Sequence, residues 1–141
     1  MIKVLVVDDS ATARKAISTI LNNASDIEVI GEAVDGLEGV ELAAQLRPDV
    51  ITMDINMPRL NGHEATRQIM ALTPTPIVVL TTISRQEMIH QGLDILLAGA
   101  LEIVQKPSNL TAQGFETIAA ELVDKVKAVA QIKFSRPIVT D

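Results

Sequence analysis

The chain has 141 residues, a formal net charge of −6 and a pI near 4.8, with two Phe and no Trp, Tyr or Cys. A single domain of this length buries roughly 68–70% of the surface its unfolded chain exposes, so it needs no covalent staples. The absent cysteines exclude disulfides and thiolate metal sites, the acidic balance argues against nucleic-acid binding by this domain, and the scarcity of rings argues against a base-stacking surface.

Lys3–Val7 is a near-continuous apolar run, the first predicted strand, and it closes on Asp8-Asp9. Ser10 follows as an N-cap for a helix whose stripe is Ala13, Ala16, Ile17, Ile20 and Leu21. Ile27–Gly31 is the second strand; Leu37, Val40 and Ala44 mark a second helix, ended by the approach to Pro48. Val50–Asp54 is the third strand, and a shorter helix starts near Asn61-Gly62. Ile77–Thr81 is the fourth, followed by a helix from about Ser84 to Ala98 with Gly99 as its C-terminal cap. Leu101–Val104 is the fifth strand, with Lys106-Pro107 just beyond it. In the last helix Phe115, Ile118, Ala119, Leu122, Val123, Val126 and Val129 keep the period for about four turns. The pattern stops near Ile132, so the expected domain is 1–132, with 133–141 a tail or the start of an interdomain linker. No run approaches a membrane span, and MIKVLVVDDS lacks a signal peptide's layout, so the expectation is a cytoplasmic protein without membrane insertion.

Continuous rather than alternating apolar strands are those of a parallel sheet covered on both faces. Five successive β-then-α units imply a doubly wound α/β fold. For one small sheet that means a flavodoxin-like (βα)5 three-layer sandwich with a parallel five-stranded sheet in order 2-1-3-4-5, and a site at the switch between strands 1 and 3.

The carboxyl ends of the strands then converge on one crevice. They carry Asp8-Asp9, Asp54, Thr81-Thr82 and Lys106. Three carboxylates in one pocket repel unless cations compensate. Lys106 supplies one positive charge, and Mg²⁺, which takes one or two carboxylates plus water and phosphate oxygens, is the natural second. Such a pocket suits phosphoryl transfer, with an aspartate as nucleophile. Each residue alone has a plainer reading. Asp8-Asp9 resembles a helix start, Asp54 a turn residue, Lys106 a solvated loop lysine and Thr81 an ordinary strand residue. Their joint placement favours chemistry.

VLVVDDS at 4–10, VITMDINMPRLNG at 50–62, PIVVLT at 76–81 and VQKP at 104–107 resemble the successive motifs of two-component receiver domains, over residues 2 to about 130. The resemblance implies that Asp54 is the phosphoacceptor, that Asp9 and Asp54 ligate Mg²⁺, that Asp8 acts through water and that the Asn56 carbonyl completes the protein ligands. It implies that Lys106 pairs with the phosphoryl group, that Thr81 bonds it in the activated state, and that Lys106–Pro107 is cis. A sensor histidine kinase and a downstream effector are the implied partners. One departure stands out: receivers usually carry Tyr or Phe three residues before the lysine, and here that residue is Ile103. Asp26–Gly31, LRPDVITMDINMPRLNG and the long interval from Thr81 to Pro107 are similar to the N-terminal receiver of chemotaxis protein-glutamate methylesterases, whose catalytic domain lies outside this chain. The alternative is a stand-alone chemotaxis-type regulator acting by protein binding.

Rival classes fare worse. A flavodoxin-type electron carrier sandwiches its flavin between aromatic rings, which are scarce here. An aspartate-nucleophile phosphatase wants a second acid two residues on, where Asn56 stands. No member of the acidic pocket is missing, which disfavours a receiver-like protein that escapes phosphorylation. GxGxxG after a strand and GxSxG are both missing. Met57, Met70 and Met88 read as core or turn residues, and His63 and His90 as surface helix residues.

Overall fold

The computed structural model describes residues 1–82, 86–87, 90 and 98–132. Strands β1 (Ile2–Val7), β2 (Ile27–Ala33), β3 (Val50–Asp54), β4 (Ile77–Thr81) and β5 (Glu102–Gln105) form one sheet in the order β2-β1-β3-β4-β5. Every neighbouring pair is parallel. Helices α1 (Ala11–Asn22), α2 (Gly36–Leu46), α3 (Gly62–Leu72), α4 (Ala112–Glu116) and α5 (Ala119–Ala130) cover its two faces.

Strand periodicity divides the core. Val4, Val6, Val50, Val78, Leu80 and Val104 face α1, α4 and α5, where Phe115 is wholly buried. Leu5, Val7, Ile51, Met53, Ile77 and Val79 face α2 and α3. Side chains alternate across the sheet, so Asp8 and Asp54 continue the rows of Val6 and Thr52.

Four expectations need correction. The apolar stripe assigned to the second helix is offset: α2 buries Gly36, Gly39 and Ala43, while Leu37 is 40% exposed. The helix lies close enough that a Cβ on Gly39 would sit 3.0 Å from a Val7 methyl, so the smallest residues face the sheet. The helix starting at Asn61-Gly62 is not shorter than α2, each having 11 residues. The last helix is not continuous. Thr117 N–H donates to the Gly114 carbonyl and Ile118 N–H to that of Phe115, both at 3.1 Å, and the Thr117 hydroxyl adds a 2.7 Å bond to Gly114 O. These three-residue bonds over-tighten the chain and start α5 afresh. Finally, the described residues contain no cis peptide, so Lys106–Pro107 is trans. The trans form is the commoner isomer even before proline, and with it the Lys106 side chain already reaches its partners.

Of the helix expected from Ser84 to Ala98, Gln86, Glu87, His90 and Ala98 are described and helical; the remainder lies outside the described residues. Gly99 follows with φ +121, a conformation L side chains rarely adopt, in keeping with its expected cap role. No helix among the described residues is long and apolar enough to cross a membrane.

Candidate acidic metal centre

The hydrophobic strands carry their polar ends to one edge of the sheet. Asp8 follows β1, Asp54 and Thr81 end β3 and β4, and Lys106 follows β5. Asp8, Asp54, Thr81 and Lys106 are all buried, at 1%, 7%, 1% and 7% exposure, whereas Asp9 and Asn56 are exposed. One carboxylate oxygen each from Asp8, Asp9 and Asp54 lie within 4.8 Å of one another.

Lys106 joins the buried pair. Its Nζ stands 2.7 Å from Asp8 Oδ2 and 3.2 Å from Asp54 Oδ1. This is no solvated loop lysine. Asp8 Oδ1 accepts the Ser10 N–H at 2.9 Å, while Ser10, rather than either aspartate, caps α1 by accepting from Ala13 N–H at 3.2 Å. Asp54 Oδ1 accepts the Ile55 N–H at 2.9 Å. The Lys106 N–H donates to the Thr81 carbonyl at 2.7 Å, tying the end of β4 to the lysine.

The Asp54 carboxyl is raised from 3.8 to about 6, first by burial and next by the charge of Asp8. Lys106 opposes the rise, and a side-chain hydrogen bond with Asp9 adds to it. The three acids outnumber the one ammonium beside them, and the donors are all oxygen. Such a set fits a hard divalent cation.

The sequence pointed to Asp8, Asp9, Asp54, Thr81 and Lys106, and the structure gathers all five at this edge. Asn56 sits two residues past Asp54 in the β3–α3 loop, 55–61. Ile103 is half-buried against the core on the α2 and α3 side, and its carbonyl accepts from Lys125 Nζ at 2.9 Å. Residues 83–85, just past Thr81-Thr82 at the end of β4, lie outside the described residues.

Sequence reasoning missed the residues that brace the loops. Arg14 Nη1 donates to the Asp8 carbonyl at 2.8 Å and its Nε pairs with Glu32 at 3.5 Å. Arg59 grips Asp35 with two bonds, from Nε at 2.8 Å and Nη2 at 3.3 Å. Asp35, before a helix pattern, carried a capping signal; Arg59 carried none.

Known proteins are similar to this chain in sequence and in fold. The response regulator domain of Thermotoga maritima CheB is 39% identical with a TM-score of 0.88, covering 94% of this chain and 98% of that one. A protein-glutamate methylesterase/protein-glutamine glutaminase of Myxococcus xanthus is 44% identical over 96% of the chain, and one of Geobacter sulfurreducens is 44% identical over 99%. The chain spans 38% of the length of each of these two relatives. The family model described as response regulator receiver domain matches residues 4–131. By sequence and by fold, the chain belongs to the response regulator receiver domain family.

Proposed function

We propose that Asp54 accepts a phosphoryl group from the phosphohistidine of a sensor kinase, in a Mg²⁺-dependent step, and that the acceptance regulates a methylesterase domain following this one. The observation that carries the reading is the buried triad in which Lys106 bridges Asp8 and Asp54 beside Asp9.

Asp54 Oδ1 is held by Ile55 N–H and Lys106, so the attacking oxygen in this reading is Oδ2. A new O–P bond forms on Asp54 as the P–N bond to the donor imidazole breaks, and the imidazole keeps the electron pair and takes up a proton. Asp9, Asp54 and the Asn56 carbonyl would hold the ion directly and Asp8 through water. Mg²⁺, when bound, neutralises charge on the phosphoryl oxygens. Lys106 is placed to turn from Asp54 Oδ1 toward the phosphoryl group, and its backbone bond to Thr81 lets that turn reach β4. The domain itself is regulatory, cytoplasmic and without nucleic-acid contacts. The methylesterase output rests on likeness to relatives that are longer than this chain.

Incubation with acetyl phosphate and Mg²⁺ should add one phosphoryl mass to the wild type and none to Asp54→Asn, read by intact-mass spectrometry. Undiminished uptake by the variant would sink the assignment.

A further inference from the structure

Strand β2 supplies no candidate ligand, yet acidic side chains on it and just after it grip both loops that do. Glu32 holds Arg14, which holds the Asp8 carbonyl; Glu32 also accepts from Ser18 Oγ at 3.2 Å. Asp35 holds Arg59, in the loop that carries Asn56, across a separation of 24 residues. The Asp35 carboxylate is only 8% exposed and also accepts Glu38 N–H at 2.8 Å, so it is a fixed anchor; Arg59 itself is 58% exposed.

The backbone at Arg59 is the telling feature. Its φ is +67, in the left-handed region where an L side chain is disfavoured and glycine is not. A residue held there by its surroundings marks a site to be tested for function. The neighbouring backbone is equally close: a Cβ on Gly36, next to Asp35, would fall 2.0 Å from the Leu60 carbonyl oxygen. The start of α2 and the β3–α3 loop are thus locked by one side-chain fork and one backbone contact.

We propose that Arg59 is a positioning residue for the metal centre, its two-pronged bond to Asp35 holding the 55–61 loop so that Asn56 stays in place beside Asp54. This rests on the function proposed above. Electrostatics alone predicts the opposite sign from positioning. Removing a cation near an acidic pocket strengthens attraction for a divalent ion, whereas releasing a loop that carries a ligand weakens binding.

Calorimetric titration with Mg²⁺ separates the two, using wild type, Arg59→Ala, Arg59→Gly and Arg59→Lys. The Ala and Gly variants should bind Mg²⁺ about tenfold more weakly, the scale of losing a group that orients a ligand. Lys should fall between, since one ammonium cannot reproduce the fork. Arg59→Gly relieves the left-handed backbone, so its thermal midpoint should lie above that of Arg59→Ala while its Mg²⁺ affinity falls as far. Affinity that is unchanged or tighter in both variants, or that falls only in step with the midpoint, overturns the proposal. Wild type that takes up neither Mg²⁺ nor phosphoryl overturns the functional reading and this inference with it.

Discussion

Burying Asp54 beside Asp8 strips water from two carboxylates at once, and Lys106 offsets only part of the cost. With its carboxyl raised to about 6 by burial and by Asp8, Asp54 keeps its proton in the folded chain at pH values where the unfolded chain has lost it. Between about pH 4 and pH 6 the native state therefore binds more protons. Metal-free stability then falls as pH rises through that window and stays lower above it. Asp54→Asn removes the charge and keeps the shape. At pH 7.5 without Mg²⁺ it should be more stable than wild type by about 1–2 kcal/mol, after allowance for solvent screening, with the gap closing below pH 4. Urea unfolding followed by far-ultraviolet circular dichroism at several pH values checks this, and equal midpoints at pH 7.5 would contradict it. The pocket residues were legible because each ends or follows an apolar strand, and the sheet's geometry forces those ends together. Arg59 was not, because its partner Asp35 lies 24 residues away and nothing local in a left-handed arginine announces the contact.

At the scale of elements, close backbone approach decides what the sequence pattern could not. Strand runs were readable from apolar continuity alone, and β3 and β4 agree with the expectation residue for residue. The faces of α2 were not, because the residues it buries are glycines and an alanine, which a hydrophobic stripe passes over. Nor was the break before α5, set by three-residue bonds that leave the apolar spacing intact. The Gly62 position shows how closely α3 meets the site. A Cβ there would lie 1.9 Å from the Asp54 carbonyl oxygen, whereas one on Gly31 meets first a flexible Leu46 methyl, at 2.6 Å. Gly62→Ala should thus cost about 2–3 kcal/mol, as overpacking against backbone does, and Gly31→Ala clearly less. Thermal unfolding of the two variants tests the ordering; a reversed order would mean that α3 is free to shift away from Asp54.

For the whole molecule, a divalent cation held at the acidic edge as proposed would couple stability to metal. An ion that binds only the native fold adds about 1.4 kcal/mol at ten times its dissociation constant. Mg²⁺ should raise the unfolding midpoint of the wild type, and Asp9→Ala should lose most of that gain while unfolding much like wild type in EDTA, since Asp9 is exposed. An undiminished gain in Asp9→Ala would remove it from the ligand set. The overall architecture was legible from the order of elements, since right-handed crossovers leave a five-unit α/β chain few other topologies. One bond joins the first strand's end to the last strand's. Asp8 and Lys106, 98 residues apart, meet in the pocket, so the ribosome delivers the acids long before their counter-charge. A nascent or clipped chain ending short of residue 106 carries Asp54 without the ammonium that stands 3.2 Å from it in the folded domain. If Asp54 accepts phosphoryl as proposed, such a fragment should compete poorly for phosphoryl donors, and β5, the last strand to be synthesised, would double as a check that the sheet is complete.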